Sequence, residues 1–151
     1  MTPQQKETAP TAGDLVDATE KVARIVMVDE LQECGARLRA GELVAFPTET
    51  VYGLGCHALD PVAVQKVFDA KERPLTDPLI VHVARPEDAL TLWEEKEDDN
   101  HIDILKSLTD HFWPGPFTLV AKAASHVPSI VMANTGYVAC RCPLHPLAQQ
   151  L

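Results

Sequence analysis

No C-x-x-C pair occurs among the four cysteines, Cys34, Cys56, Cys140 and Cys142, and no H-E-x-x-H motif among the six histidines. Structural zinc and other protein-held transition metals therefore have no ligand pattern to stand on. Long apolar runs are also missing: nothing approaches the roughly 18 residues a membrane span needs. The first 24 residues carry Lys6, Glu7, Asp14, Asp17 and Glu20 and lack both a signal peptide's apolar core and a transit peptide's avoidance of acids. A cytoplasmic, soluble protein is the expectation. Positive charge is scarce as well. With 13 basic against 22 acidic side chains, a formal charge of -9 repels nucleic acid, anionic membrane and free nucleotide unless cations cluster locally. No internal repeat is present.

What the 151 residues do contain suits one packed domain. Residues 1–23 read as a flexible polar tail and residues 24–151 as the folded unit. Ile25, Val26 and Val28 predict a short strand, and Asp29 a cap for a helix that stops at Gly41. Residues 43–46 predict a buried strand opening into a loop over residues 48–55. Asp60 and Pro61 start a helix that ends before Pro74, and residues 79–83 form the next buried strand. A helix over residues 86–93 is followed by an acidic connection at 94–100, then by apolar positions at helical spacing from Ile102 to Phe112. The Trp113-Pro-Gly-Pro116 run is a rigid turn whose indole fills the core, leading into a strand over 117–121. A further strand covers 137–142, with Cys140 and Cys142 on one face, and a helix begins at His145. Strands alternating with helices predict an α/β protein with a twisted open sheet and helices packed on it.

In such sheets ligands bind beyond the carboxyl ends of the strands. The loop Thr48-Glu-Thr-Val-Tyr-Gly-Leu-Gly55 lies there, with small hydroxyls and permissive backbone able to hold a polar ligand, or with Thr48 or Thr50 capping a turn and Tyr52 packing on the core. Lys71 and Arg73 put two cations at a helix end; they offset phosphate charge or meet the helix dipole. His82 faces either the open end of the sheet or a buried partner. Arg141, within an apolar strand, requires an anion, either a protein carboxylate or a ligand carboxylate.

The order of these segments carries a resemblance. Phe46-Pro-Thr-Glu-Thr-Val-Tyr-Gly-Leu-Gly55, Lys71-Glu-Arg-Pro74, Pro78-Leu-Ile-Val-His-Val83, Phe112-Trp-Pro-Gly-Pro-Phe-Thr-Leu-Val120 and Val138-Ala-Cys-Arg-Cys-Pro-Leu-His-Pro146 together resemble the YrdC-like domain family across residues 24–151. The resemblance implies a threonylcarbamoyl-AMP synthase, which joins L-threonine, bicarbonate and ATP, with Mg2+ on the phosphates, for threonylcarbamoyladenosine modification of tRNA. It implies that Thr50, His82 and Arg141 hold L-threonine, and that Lys71, Arg73, Asp77 and Tyr137 lie at ATP. Asp77 stands where the family usually has Asn, and Tyr137 where it usually has Thr. No covalent nucleophile is implied. The expected partner is a downstream threonylcarbamoyl transferase complex, with no stable nucleic-acid or membrane binding. Family members continue beyond the His-Pro helix into a segment with a Ser-x-Asn motif that contacts both substrates; the chain is thus expected to be a fragment or a short product lacking part of the site. The alternatives are an RNA-binding or regulatory module of the same fold, a carbamoyl-transfer domain like those of hydrogenase maturation proteins, and an inactive remnant.

Overall fold

A computed structural model describes residues 23–94 and 100–151. The tail expected over residues 1–23 lies, except for its last residue, outside the described residues, as does most of the acidic connection.

Helix α1 (Leu31–Arg39) is preceded by a 3-10 turn at Val28–Glu30. The strand expected at residues 25–28 does not form. Ile25 is 89% exposed and no strand among the described residues pairs with its backbone; Arg24 instead reaches forward to the carboxylates of Glu30 and Glu33. Asp29 does not cap α1, which has no side-chain cap at its N-terminus; Glu30 instead closes the 3-10 turn, accepting from the Met27 N–H at 3.1 Å. Past α1 the chain reverses at Gly41, whose φ of +75° is a conformation open to glycine at little cost.

Strand β1 (Val44–Phe46) pairs antiparallel with β2 (Gly53–Gly55), so the last three residues of the expected loop are a strand. The reason lies in the glycines. Phe46 lays its ring along β2, and a Cβ at Gly55 would sit 2.6 Å from Phe46 Cε1. Helix α2 (Pro61–Lys71) begins as expected: Asp60 accepts from the Val62 N–H at 2.9 Å and Pro61 occupies the first turn. Val64, Val67 and Phe68 recur at helical spacing and are all buried. Such side chains contribute roughly 1.5–3 kcal/mol each on burial.

A second sheet has the order β3-β5-β4, from β3 (Ile80–His82), β4 (Leu119–Lys122) and β5 (Tyr137–Arg141), with β3 parallel and β4 antiparallel to β5. Helices α3 (Pro86–Leu90) and α4 (His101–Phe112) lie between β3 and β4 in the chain and pack on one another. The α/β reading holds, with the strands divided by hydrogen bonding into a hairpin and this three-stranded mixed sheet. One sheet face is core: Val81, Leu119, Ala121, Val138 and Cys140 are buried against Phe68, Trp93 and Trp113. The other face carries Ile80, His82, Val120, Tyr137 and Arg141. Strand β3 is thus buried on one side only, because pleating sends alternate side chains away from the helices.

Two boundaries shift for local reasons. The helix expected to reach residue 93 ends at Leu90, where the Thr91 hydroxyl donates to Asp88 O at 2.7 Å, and Trp93 bridges to Ala123. The strand expected from residue 117 starts at Leu119, because the Trp113 indole N–H claims Phe117 O at 2.6 Å. Trp113 is the buried structural residue expected of it. Short α5 (Pro146–Gln150) is capped by His145, whose Nδ1 accepts from the Leu147 N–H.

Candidate functional site

The outer face of the three-stranded sheet meets the hairpin loop, and the chemistry collects there. Parallel register sets His82 directly beside Arg141. Alternation along β5 sends Val138, Cys140 and then Cys142 into the core, and so turns Arg141 to the opposite side. Its guanidinium is nonetheless buried, with 9% of the side chain exposed. Nε donates to Gly115 O at 3.2 Å, Nη1 donates to Thr50 Oγ1 at 3.0 Å, and Nη2 lies 2.8 Å from Glu49 Oε1. The anion that a buried arginine requires is therefore a protein carboxylate, Glu49.

Thr48 and Thr50 divide the two roles that their types allow. Thr48 shapes the turn: its hydroxyl donates to Val51 O at 2.6 Å and accepts from the backbone N–H of Thr50 and Val51. Thr50 is thereby held with its hydroxyl between Thr48 Oγ1, at 3.0 Å, and Arg141. Tyr52 does not pack on the core; it is 79% exposed.

The ring of Phe46 meets His82 edge-on, with centroids 6.0 Å apart. His82 Nδ1 lies 3.2 Å from Ile80 O. A carbonyl only accepts, so this bond places the proton on Nδ1 and leaves the Nε2 lone pair available. Part of the residue surface stays open, but the protein around the ring desolvates it and lowers its pKa; the nearby Arg141 charge acts the same way, against the Ile80 carbonyl and Glu49. Neutral imidazole is favoured. Burial alone would raise the Glu49 carboxyl, but contact with Arg141 and backbone amides more than reverses this and brings it down to about 2. Neither Glu49 oxygen nor Arg141 Nη2 has a well-aligned hydrogen bond, although the two groups meet at ion-pair distance.

The expected nucleotide residues are placed differently. Glu72 caps α2 in the left-handed region, at φ 49°, and Arg73 follows this turn. Arg73 Nε donates to Asp77 O, Nη2 donates to Pro78 O at 2.8 Å, and Nη2 pairs with the Asp77 carboxylate at 2.9 Å. The arginine thus clasps the loop leading into β3. Lys71, exposed at the end of α2, makes no ion pair among the described residues. Tyr137 opens β5 on the same face as Arg141, paired with Lys122 and 54% exposed. Thr50, His82 and Arg141 are brought together; Lys71, Arg73, Asp77 and Tyr137 stay outside that cluster. Among the described residues no group of three or more His, Cys, Asp or Glu side chains is arranged to hold a metal ion.

A family model described as telomere recombination, that of Sua5, YciO and YrdC, matches residues 36–151. The chain belongs to the Sua5/YrdC family. Among its curated relatives, the threonylcarbamoyl-AMP synthase of Pyrococcus abyssi is 45% identical over 114 residues, which cover 76% of this chain and 32% of that protein. The Bacillus subtilis threonylcarbamoyl-AMP synthase is 41% identical over 140 residues, or 90% of this chain and 38% of the relative. The crystal structure of P. abyssi Sua5 complexed with L-threonine superposes with a TM-score of 0.75 at 39% identity, covering 84% of this chain and 36% of that one. The chain thus spans about a third of the length of these Sua5/YrdC relatives.

Glu49 and Gly115 escaped the sequence reading as site residues. The signal for Glu49 was present: Arg141 demanded an anion, and Glu49 is the one acid among residues 46–55. Gly115 contributes only a carbonyl, which no side-chain pattern advertises.

Proposed function

We propose that this chain carries the L-threonine pocket of a threonylcarbamoyl-AMP synthase. The observation that carries the proposal is the convergence of Thr50, His82 and Arg141, from three distant segments, on one face of the sheet. The similarity to a threonine-bound Sua5 supports the choice of amino acid. Arg141 receives the substrate carboxylate, His82 Nε2 accepts from the substrate hydroxyl, and Thr50 Oγ1 orients the same end of the ligand.

The threonine amine attacks CO2 derived from bicarbonate and loses a proton, forming a carbamate. A carbamate oxygen then attacks the α-phosphorus of ATP, and the bond to the departing pyrophosphate breaks. Lys71 and Arg73 face the triphosphate, with Mg2+ entering on the phosphates as part of the substrate. Asp77 and Tyr137 border that nucleotide. The protein's contribution is proximity and fixed charge, without a covalent intermediate. The product serves a downstream threonylcarbamoyl transferase in tRNA modification, in the cytoplasm. No helix among the described residues is long and apolar enough to cross a membrane.

Calorimetric titration of the 151-residue chain with L-threonine, with serine as control and with or without Mg-ATP, tests this reading. Saturable binding that prefers threonine is expected, together with its loss in His82→Ala. A folded chain that binds neither amino acid would remove it.

A further inference from the structure

A pocket that receives a carboxylate ordinarily presents an uncompensated cation, yet here the receiving cation already has a counter-charge. Arg141 and Glu49 meet at 2.8 Å, with only 9% and 19% of their side chains exposed. Water screens such a pair poorly, so an approaching ligand feels both members at once. A plain carboxylate anion gains attraction from Arg141 and suffers repulsion from Glu49. A zwitterion escapes that conflict, because its ammonium compensates the glutamate while its carboxylate addresses the arginine.

We propose that Glu49 is a specificity-determining residue that makes this pocket select α-amino acids over carboxylic acids of the same shape. It acts through Arg141 and through the field of the pair, since its own oxygens are covered by protein. The depressed Glu49 pKa keeps the carboxylate ionised throughout the neutral range. Hydrogen bonding to Thr50 and Gly115 fixes the guanidinium, so the pair cannot simply swing apart to admit an anion. The proposal rests on reading this site as the L-threonine pocket.

The test compares L-threonine with β-hydroxybutyrate of the R configuration, which is threonine with the ammonium replaced by hydrogen. Calorimetry on the wild-type chain is expected to show threonine binding tighter by about tenfold or more, the size of one uncompensated partly buried charge contact. In Glu49→Gln the ratio should collapse towards one, chiefly because β-hydroxybutyrate binds better; Glu49→Asp, which keeps the charge, should preserve it. A merely structural role predicts that Glu49→Gln weakens both ligands equally and leaves the ratio intact, and that result overturns the proposal. If circular dichroism shows Glu49→Gln to be unfolded, the other two proteins decide: equal affinities in the wild type overturn the proposal, and preference in both wild type and Glu49→Asp upholds it. Absence of threonine binding in the folded wild type would overturn the pocket reading itself, whereas an unchanged ratio overturns only the role of Glu49.

Discussion

The two arginines of the motifs make an instructive pair. Arg141 is buried, and its partners Thr50, Gly115 and Glu49 come from other parts of the chain. Arg73 is half-buried, pairs with the exposed carboxylate of Asp77, and takes its partners from the next five residues. Both have a carboxylate within 2.9 Å. Burial decides what those similar distances mean: the deep pair is a fixed element of the fold, and the shallow one is a contact that solvent can replace.

Removing each arginine should expose the contrast most clearly. Arg141→Leu leaves Glu49 buried without its counter-ion and is expected to cost about 3–5 kcal/mol. Arg73→Leu breaks an exposed pair and is expected to cost less than about 1 kcal/mol. Urea denaturation of the two variants side by side measures the difference, and equal losses would erase the distinction.

Acid gives a subtler version of the same comparison. The folded-state pKa of Glu49, about 2, lies below its ordinary value of 4.5, so its stabilisation is complete above 4.5 and disappears as pH falls from there towards 2. The urea midpoint of the wild type should decline across that window. Glu49→Gln should flatten the decline, and an identical slope in both would show that the Arg141 pair is not its source.

The smallest expected effect belongs to the surface pair. In the proposed nucleotide site the Asp77 carboxylate, 2.9 Å from Arg73, would compete with phosphate, so Asp77→Asn should tighten Mg-ATP binding by roughly two- to fivefold, the worth of one exposed ion pair, and leave threonine affinity unchanged. Titration of both ligands checks the two halves of that statement. Unaltered ATP binding would mean that Arg73 remains a loop clasp even when nucleotide is present.

The elements most legible in the sequence were those whose signals are local. Asp60-Pro61 marked the start of α2, and Val64, Val67 and Phe68 marked its buried face. Alternation around Cys140, Arg141 and Cys142 placed the arginine opposite the thiols. Signals that depend on distant partners were read less well. Ile25, Val26 and Val28 have the composition of a strand, yet composition cannot supply a neighbouring edge. Residues 53–55 look like loop because glycine is rare in strands, and only the Phe46 ring lying along them explains the pairing. For the site, Arg141 announced its need for an anion, but choosing Glu49 required knowing that the hairpin folds over the sheet.

Alternation on β5 also gives the protein a built-in reporter. Cys140 and Cys142 are fully covered, with the Cys140 thiol pushed up to about 12 by burial. Any slip of β5 by one residue would turn these sulfurs outward and Arg141 inward. With half-buried Cys56 and buried Cys34 replaced by serine, labelling by a thiol reagent therefore counts molecules in which the strand has lost its place, and separates a site emptied by mutation from one that was never assembled.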